Sequence, residues 1–171
     1  QLRDQHDMRL NLICTGSLVQ PHTTTVNAHI DALNLRDQVR LLGVVPQDDL
    51  RGLYDACAFM VFPSQFEGAG YPPLEAFHAG KAVICSDATS LPEAVGEAAM
   101  LINPLDVTAL TTALHQLHTD NDLRLDLEAR GRVRLQEFDW QTAARTYRAV
   151  YRQVGRQKLT EGERSLLVYA E

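Results

Sequence analysis

The feature that most limits what this chain can fold into is an alternation. Short apolar runs, too brief for helices, are separated by longer amphipathic stretches. The runs fall at residues 10–14, 39–42, 59–62, 82–85 and, more weakly, 99–102. Near-continuous apolarity over four or five residues, interrupted here at Asn11 and Arg40, describes strands covered on both faces, as in a parallel sheet flanked by helices. The intervening segments read as helices over 24–33, 48–57, 72–79 and 91–95, followed by a helical tail from Asp106 to about Arg156. The expected class is therefore α/β, a Rossmann-like doubly wound parallel sheet. Such a domain opens on its central strand, and here the first strand-like run begins only near Leu10, so the first strand and helix are expected to be missing. Residues 8–155 form the expected domain. Residues 156–171 are a tail or the start of a further segment, ending in the apolar, strand-like "SLLVYAE" from Ser165.

Local signals mark several boundaries. "SLPE" at 90–93 has the form of a capping box, with Ser90 accepting an N–H, Glu93 reciprocating, and Pro92 placed early where its missing N–H costs little. Gly80 is placed to end the helix over 72–79, and Gly43 to end the strand over 39–42. Asp139 in "EFDW" is an N-cap for a helix carrying Trp140, Ala144, Tyr147 and Tyr151 at core-like spacing, which reads as packing. "DND" at 120–122 sits at a helix break and reads as a cap rather than a metal ligand set.

Composition excludes several functions. A chain of 171 residues suits one domain, which at this size buries roughly 70% of its unfolded surface without disulfides or metal. The longest apolar run falls short of the roughly 18 residues of a membrane span, and the reading is a soluble, cytoplasmic chain. Net charge is −6 and the only lysines are Lys81 and Lys158, so no nucleic-acid partner is expected. An anionic ligand must then be met mainly by backbone. Cys14, Cys57 and Cys85 are far apart and flanked by apolar residues, as buried free thiols are. His115 and His118 have helical spacing but no fitting third ligand, and His78 reads as a packing or surface residue, so no metal is expected.

One stretch carries chemistry. "FPSQFEGAGYPPLEAFHAG", residues 62–80, places Glu67 and Glu75 around a Gly-x-Gly loop and a Pro-Pro helix start. Gly68 and Gly70 let a ligand approach the main chain, and Pro72 with Pro73 fixes the first helical turn, whose dipole favours an anion. Carboxylates repel phosphate but accept hydrogen bonds from paired hydroxyls. Backbone for phosphate and carboxylates for hydroxyls together suit a nucleotide sugar. Three other readings compete: a tight turn feeding a helix in a non-catalytic interaction module, a glycosidase pair, and an NAD site. A retaining glycosidase needs carboxyls about 5–5.5 Å apart, which this spacing leaves open. The NAD site lacks G-x-G-x-x-G after the first strand.

"PSQFEGAGYPPLEA" resembles the E-x7-E motif of retaining glycosyltransferases of the GT-B fold, family 4. "RLLGVV", "DLRGLYDACAFMVFPS", "AGKAVICSDATSLPEAVGEAAMLINPLD" and the "FDW" helix resemble, in order, the carboxyl-terminal, nucleotide-binding half of these enzymes, over residues 8–155. The resemblance implies hexose transfer, with mannose or glucose favoured by "SLPE" and "INPLD", from a UDP-, GDP- or ADP-sugar to a saccharide or lipid-linked acceptor. It places Glu67 by the transferred sugar as the catalytic candidate, and Glu75 at the ribose. The N–H groups of Gly68, Ala69, Gly70 and Tyr71, with the Pro72 helix behind them, would meet sugar and diphosphate. Val44 and Val45 would contact the base, and Gly16 with Ser17 would line the cleft. No bound metal or other cofactor is implied. Ala69 and Tyr71 replace residues that are often larger and apolar, or Leu, in the family. The family's basic diphosphate clamp and its acceptor domain lie upstream of Gln1, so the chain by itself is expected to be inactive. The complete enzyme is expected in the cytoplasm or at a membrane surface, and the 140–154 helix is expected to reach toward the absent domain.

Overall fold

The computed structural model describes residues 1–17 and 19–167. In chain order its elements are α1 (Leu2–His6), β1 (Leu12–Thr15), α2 (His22–Ala32), β2 (Val39–Gly43), α3 (Gln47–Ala56), β3 (Phe59–Phe62) and α4 (Tyr71–His78). They continue with β4 (Ala82–Ser86), α5 (Leu91–Val95), β5 (Met100–Ile102), α6 (Val107–Thr119), α7 (Asn121–Arg134), α8 (Trp140–Val154) and α9 (Glu161–Leu166). Each apolar run is a strand, β3 with the bounds read from sequence. Each strand pairing is parallel, which the helical crossovers require.

The strands form two sheets, β1-β2 and β3-β4-β5. A doubly wound sheet of order 3-2-1-4-5-6 carries its first strand between the second and the fourth. With β2-β1 as one arm and β3-β4-β5 as the other, the break lies where that first strand belongs. This is the strand that the sequence pattern lacks.

The core is built around β4, whose five residues are all buried. Its alternation divides the core in two. Val83 and Cys85 face Phe77 of α4 and Leu91 and Val95 of α5. Ala82 and Ile84 face Ile102, Leu117 of α6 and Leu127 of α7. Helix α7 reaches α4 closely because residue 131 is glycine: a Cβ there would stand 2.6 Å from the Phe77 ring.

The tail is three helices, divided by the capping residues. Asp106 accepts the Ala109 N–H and Asp120 the Leu123 N–H, each at 2.9 Å. Asp120 is thus the cap its position suggested. Asp139 accepts from Gln141 at 3.2 Å and Thr142 at 2.8 Å. The Thr142 hydroxyl, then these N–H groups, hold its carboxyl below the usual carboxylate range. The aromatic stripe of α8 is not packed as its spacing suggested: Trp140 is 79% exposed, Tyr147 65% and Tyr151 73%, and the residue that α8 buries is Ala149. Helical periodicity locates a face but not its cover. Ser165 and Leu166 end α9, not a strand, because a Thr160–Glu163 capping box starts a helix there. Residues 168–171 of the strand-like run lie outside the described residues.

Candidate functional site

Strand β3 ends at Phe62, and residues 63–70 carry the chain from its carboxyl end to α4. Gly70 is the N-cap, with φ 67° and ψ 42°. A Cβ at this position would meet Leu91 Cδ2 at 2.8 Å, so both the left-handed backbone and the packing require glycine. The turn lays the loop across the amino terminus of α4. Pro72 and Pro73 occupy the first helical turn and have no N–H, so they contribute no donors there. Among the described residues, the N–H groups of Gly68, Ala69, Gly70 and Tyr71 have no hydrogen-bond acceptor. Four consecutive N–H groups without an acceptor beside a helix amino terminus are candidate donors for an anion.

Glu67 lies immediately before this run, partly exposed. Its N–H donates to Thr89 Oγ1 at 3.0 Å, and its carbonyl accepts from Ser90 Oγ at 3.0 Å. The expected capping box at Ser90 is therefore not formed: α5 does begin at Leu91, but the Ser90 hydroxyl reaches across to Glu67 and caps no helical N–H. A contact 23 residues distant displaced the local one.

Glu75 is exposed on α4, and its Oε2 accepts from Tyr54 Oη of α3 at 3.1 Å. The Tyr54 hydroxyl also stands 3.4 Å from the Pro72 carbonyl. Burial, then the adjacent Glu75 carboxylate, raises the Tyr54 pKa far above its ordinary value, so the phenol stays a donor. Sequence reasoning missed Tyr54; the available signal was an aromatic with a polar tip late in an amphipathic helix. Tyr71, Leu74, Glu75 and His78 line a cavity of about 1000 Å³ between α3, α4 and α8, together with Tyr54 and Tyr147. Glu67 is not part of that lining. The two glutamates have different surroundings, one at the cavity and one at the turn before α5.

The other sequence-predicted residues form a second group, at the carboxyl end of β1 and β2. Gly16 donates its N–H to the Gly43 carbonyl at 2.9 Å, and Gly16 and Ser17 are exposed. Val44 is 80% exposed and Val45 half-buried. The structure thus brings Gly16 and Ser17 beside Val44 and Val45, and Glu67 through Glu75 into one loop and helix, with no strand pairing between the two sheets. Lys81 donates to the Asp55 carbonyl at 2.8 Å and caps the end of α3, while Arg40 lies exposed on β2. His6 and His115 rings lie 4.1 Å apart, and among the described residues no three His, Cys, Asp or Glu side chains converge. Cys85 is sealed in the core, and burial pushes its thiol up to about 12. No helix among the described residues is long and apolar enough to cross a membrane.

Comparison with known proteins is consistent across sequence and structure. The family described as "Glycosyl transferases group 1" matches residues 1–134. The chain is 43% identical over 103 residues to O-antigen chain mannosyltransferase B of Escherichia coli, covering 60% of this chain and 27% of that protein. It is 33% identical over 156 residues to MMP alpha-(1->4)-mannosyltransferase of Mycolicibacterium hassiacum, covering 88% of this chain and 37% of that protein. Among solved structures, sucrose-phosphate synthase from Thermosynechococcus elongatus superposes with a TM-score of 0.75 at 29% identity, over 84% of this chain and 38% of that one. Anabaena HepE in complex with UDP-glucose shares the fold, with a TM-score of 0.69 at 22% identity over 75% of this chain and 37% of that one. The chain spans well under half the length of each of these proteins, and its α/β fold is that of part of a GT-B glycosyltransferase. By the extent of the family match, the chain belongs to the glycosyl transferases group 1 family.

Proposed function

We propose that this chain is the carboxyl-terminal, donor-binding part of a retaining family 4 glycosyltransferase, and that its ligand is a nucleotide diphosphate sugar. The observation that carries this reading is the run of free N–H groups from Gly68 to Tyr71, held by the left-handed Gly70 at the mouth of α4. Such donors suit a diphosphate and the hydroxyls of its sugar, with the helix dipole adding to the attraction. Glu67 flanks the cradle, where a carboxylate can accept from sugar hydroxyls near the reacting carbon. Glu75, held by Tyr54, takes the ribose hydroxyls. Val44 and Val45 meet the base, and Gly16 and Ser17 close the other wall of the cleft.

In this reading the fixed backbone dipoles stabilise charge on the leaving diphosphate without a metal ion. The cationic share comes from a basic clamp upstream of Gln1, since Lys81 is engaged at the end of α3. The same upstream segment supplies the strand between the two sheets. The isolated chain binds donor weakly and transfers nothing until that segment and an acceptor domain are joined to it. The mannosyltransferase relatives favour a mannose donor. The acceptor in this reading is a saccharide or lipid-linked chain, and the complete enzyme works in the cytoplasm or at its membrane.

Calorimetric titration with UDP-, GDP- and ADP-sugars tests the reading, with Glu75→Ala as control. Saturable heat with one nucleotide is expected, weakened about tenfold or more in the variant, as loss of a charged hydrogen-bond partner implies. Equal binding by wild type and variant would remove Glu75 from the site. A folded chain, rejoined to its upstream segment, that binds no nucleotide sugar would remove the reading itself.

A further inference from the structure

We infer that Thr89 and Ser90 are positioning residues that set the direction of Glu67 and of the donor cradle behind it. This rests on the donor-site reading above. The two side chains hold the two peptide units that flank the Glu67 Cα: Thr89 Oγ1 accepts the Glu67 N–H and Ser90 Oγ donates to the Glu67 carbonyl, each at 3.0 Å. The next residue, Leu91, supports the same loop from beneath, since its Cδ2 fills the space a Cβ on Gly70 would need. Three consecutive residues after β4 therefore fix both ends of the 67–70 segment.

The backbone at Thr89 is the second, independent observation. Its φ is 52°, in the left-handed region that a β-branched residue rarely enters. Glycine or asparagine would occupy this turn with less strain. Strained positions of this kind persist where the surrounding structure holds them, and they concentrate at functional sites. Here the strained backbone presents the one hydroxyl that accepts the Glu67 N–H. Ser90 likewise forgoes the helix cap that its place before α5 offers and uses its hydroxyl on Glu67 instead. Two residues thus give up locally favourable arrangements for contacts to the same glutamate. With its own N–H and carbonyl both engaged, the Glu67 backbone is restrained on either side of its Cα, so the direction of its Cα–Cβ bond and that of the Gly68 N–H are set together.

The test uses Thr89→Val, which keeps the β-branch and its strain but removes the accepting oxygen, and Thr89→Ser, which keeps the oxygen. Amide hydrogen exchange at Glu67 reads the clamp without any ligand. Protection is expected in wild type and Thr89→Ser, with exchange about tenfold faster in Thr89→Val. Titration of the chain joined to its upstream segment with GDP-mannose against GDP, and UDP-glucose against UDP, reads the role. Thr89→Val is expected to keep the affinity for the nucleoside diphosphate and lose, by about tenfold, the additional affinity given by the sugar, with Thr89→Ser restoring it. Unchanged exchange and an unchanged sugar increment in Thr89→Val would overturn the inference, as would equal loss of nucleotide and nucleotide-sugar binding. A wild type that binds neither while Glu67 remains protected would overturn the donor reading, and with it any role for the clamp in placing a sugar.

Discussion

Strands β4 and β1 are alike in sequence and opposite in surroundings. Every residue from Ala82 to Ser86 is buried, whereas β1, comparably apolar, leaves Leu12 46% and Ile13 48% exposed. The difference lies in neighbours. β4 has β3 and β5 on its edges and helices on both faces, while β1 pairs with β2 alone. An apolar strand expresses a demand for cover on two faces and two edges, and that demand is met only where the rest of the sheet is present. The residues read as site candidates fall in both regions, Glu67 to Glu75 beside the well-packed sheet and Gly16, Ser17, Val44 and Val45 beside the open one.

The comparison can be broken most directly in the core. Ile84→Ala, at a fully buried position, is expected to cost about 2–5 kcal/mol, measured as a lower denaturant midpoint at unchanged slope. A loss under about 1 kcal/mol would mean that the β3-β4-β5 side is no better packed than the other.

The thiols sharpen it next. Cys85 in β4 and Cys14 in β1 both have their pKa raised by burial, Cys85 to about 12. Labelling of the native chain by a maleimide is expected to modify Cys14 roughly ten times faster or more, because the open sheet admits reagent through local fluctuations. The sign of the pH effect follows from the raised value. The contribution of neutral Cys85 to stability is complete below the unfolded thiol pKa of about 8.5, and is lost as pH rises from there through about 12. A midpoint that falls less steeply across that alkaline range in a Cys85→Ala control than in wild type would identify the group.

The smallest effect belongs to Ile13→Ala, expected below about 1 kcal/mol in the chain as it stands, because half of the side chain is already in water. In the proposed complete enzyme, where a further strand would cover β1, the same substitution is expected to cost more. Equal costs in both contexts would show that the open face of β1 is not where a further strand packs.

Much of this was readable in the chain. Four- and five-residue apolar runs can satisfy their backbone and side chains together only as covered strands, so all five were legible, and parallel pairing followed from the helices between them. The glycine turn into α4 was legible because Gly70 and the two prolines act within one turn of the chain. Asp139 capped α8 as read, since the cap and the N–H groups it accepts are neighbours in sequence. The partners of Glu67 and Glu75 were not legible. Ser90 met every local condition for a capping box, yet its hydroxyl is committed to a carbonyl brought close by the β3-β4 pairing. Tyr54 became a partner of Glu75 only because α3 lies against α4. The stripe on α8 showed the right period and did not show what would cover it.

Residue type and spacing along the chain therefore determined the five strands, the caps at Asp120 and Asp139 and the left-handed glycine at the loop, because those depend on interactions within a few residues. The tertiary structure alone decided which hydroxyl holds which glutamate, which of two similar strands is buried and where the sheet is divided. Each of those depends on contacts between residues distant in sequence, which a local pattern does not contain.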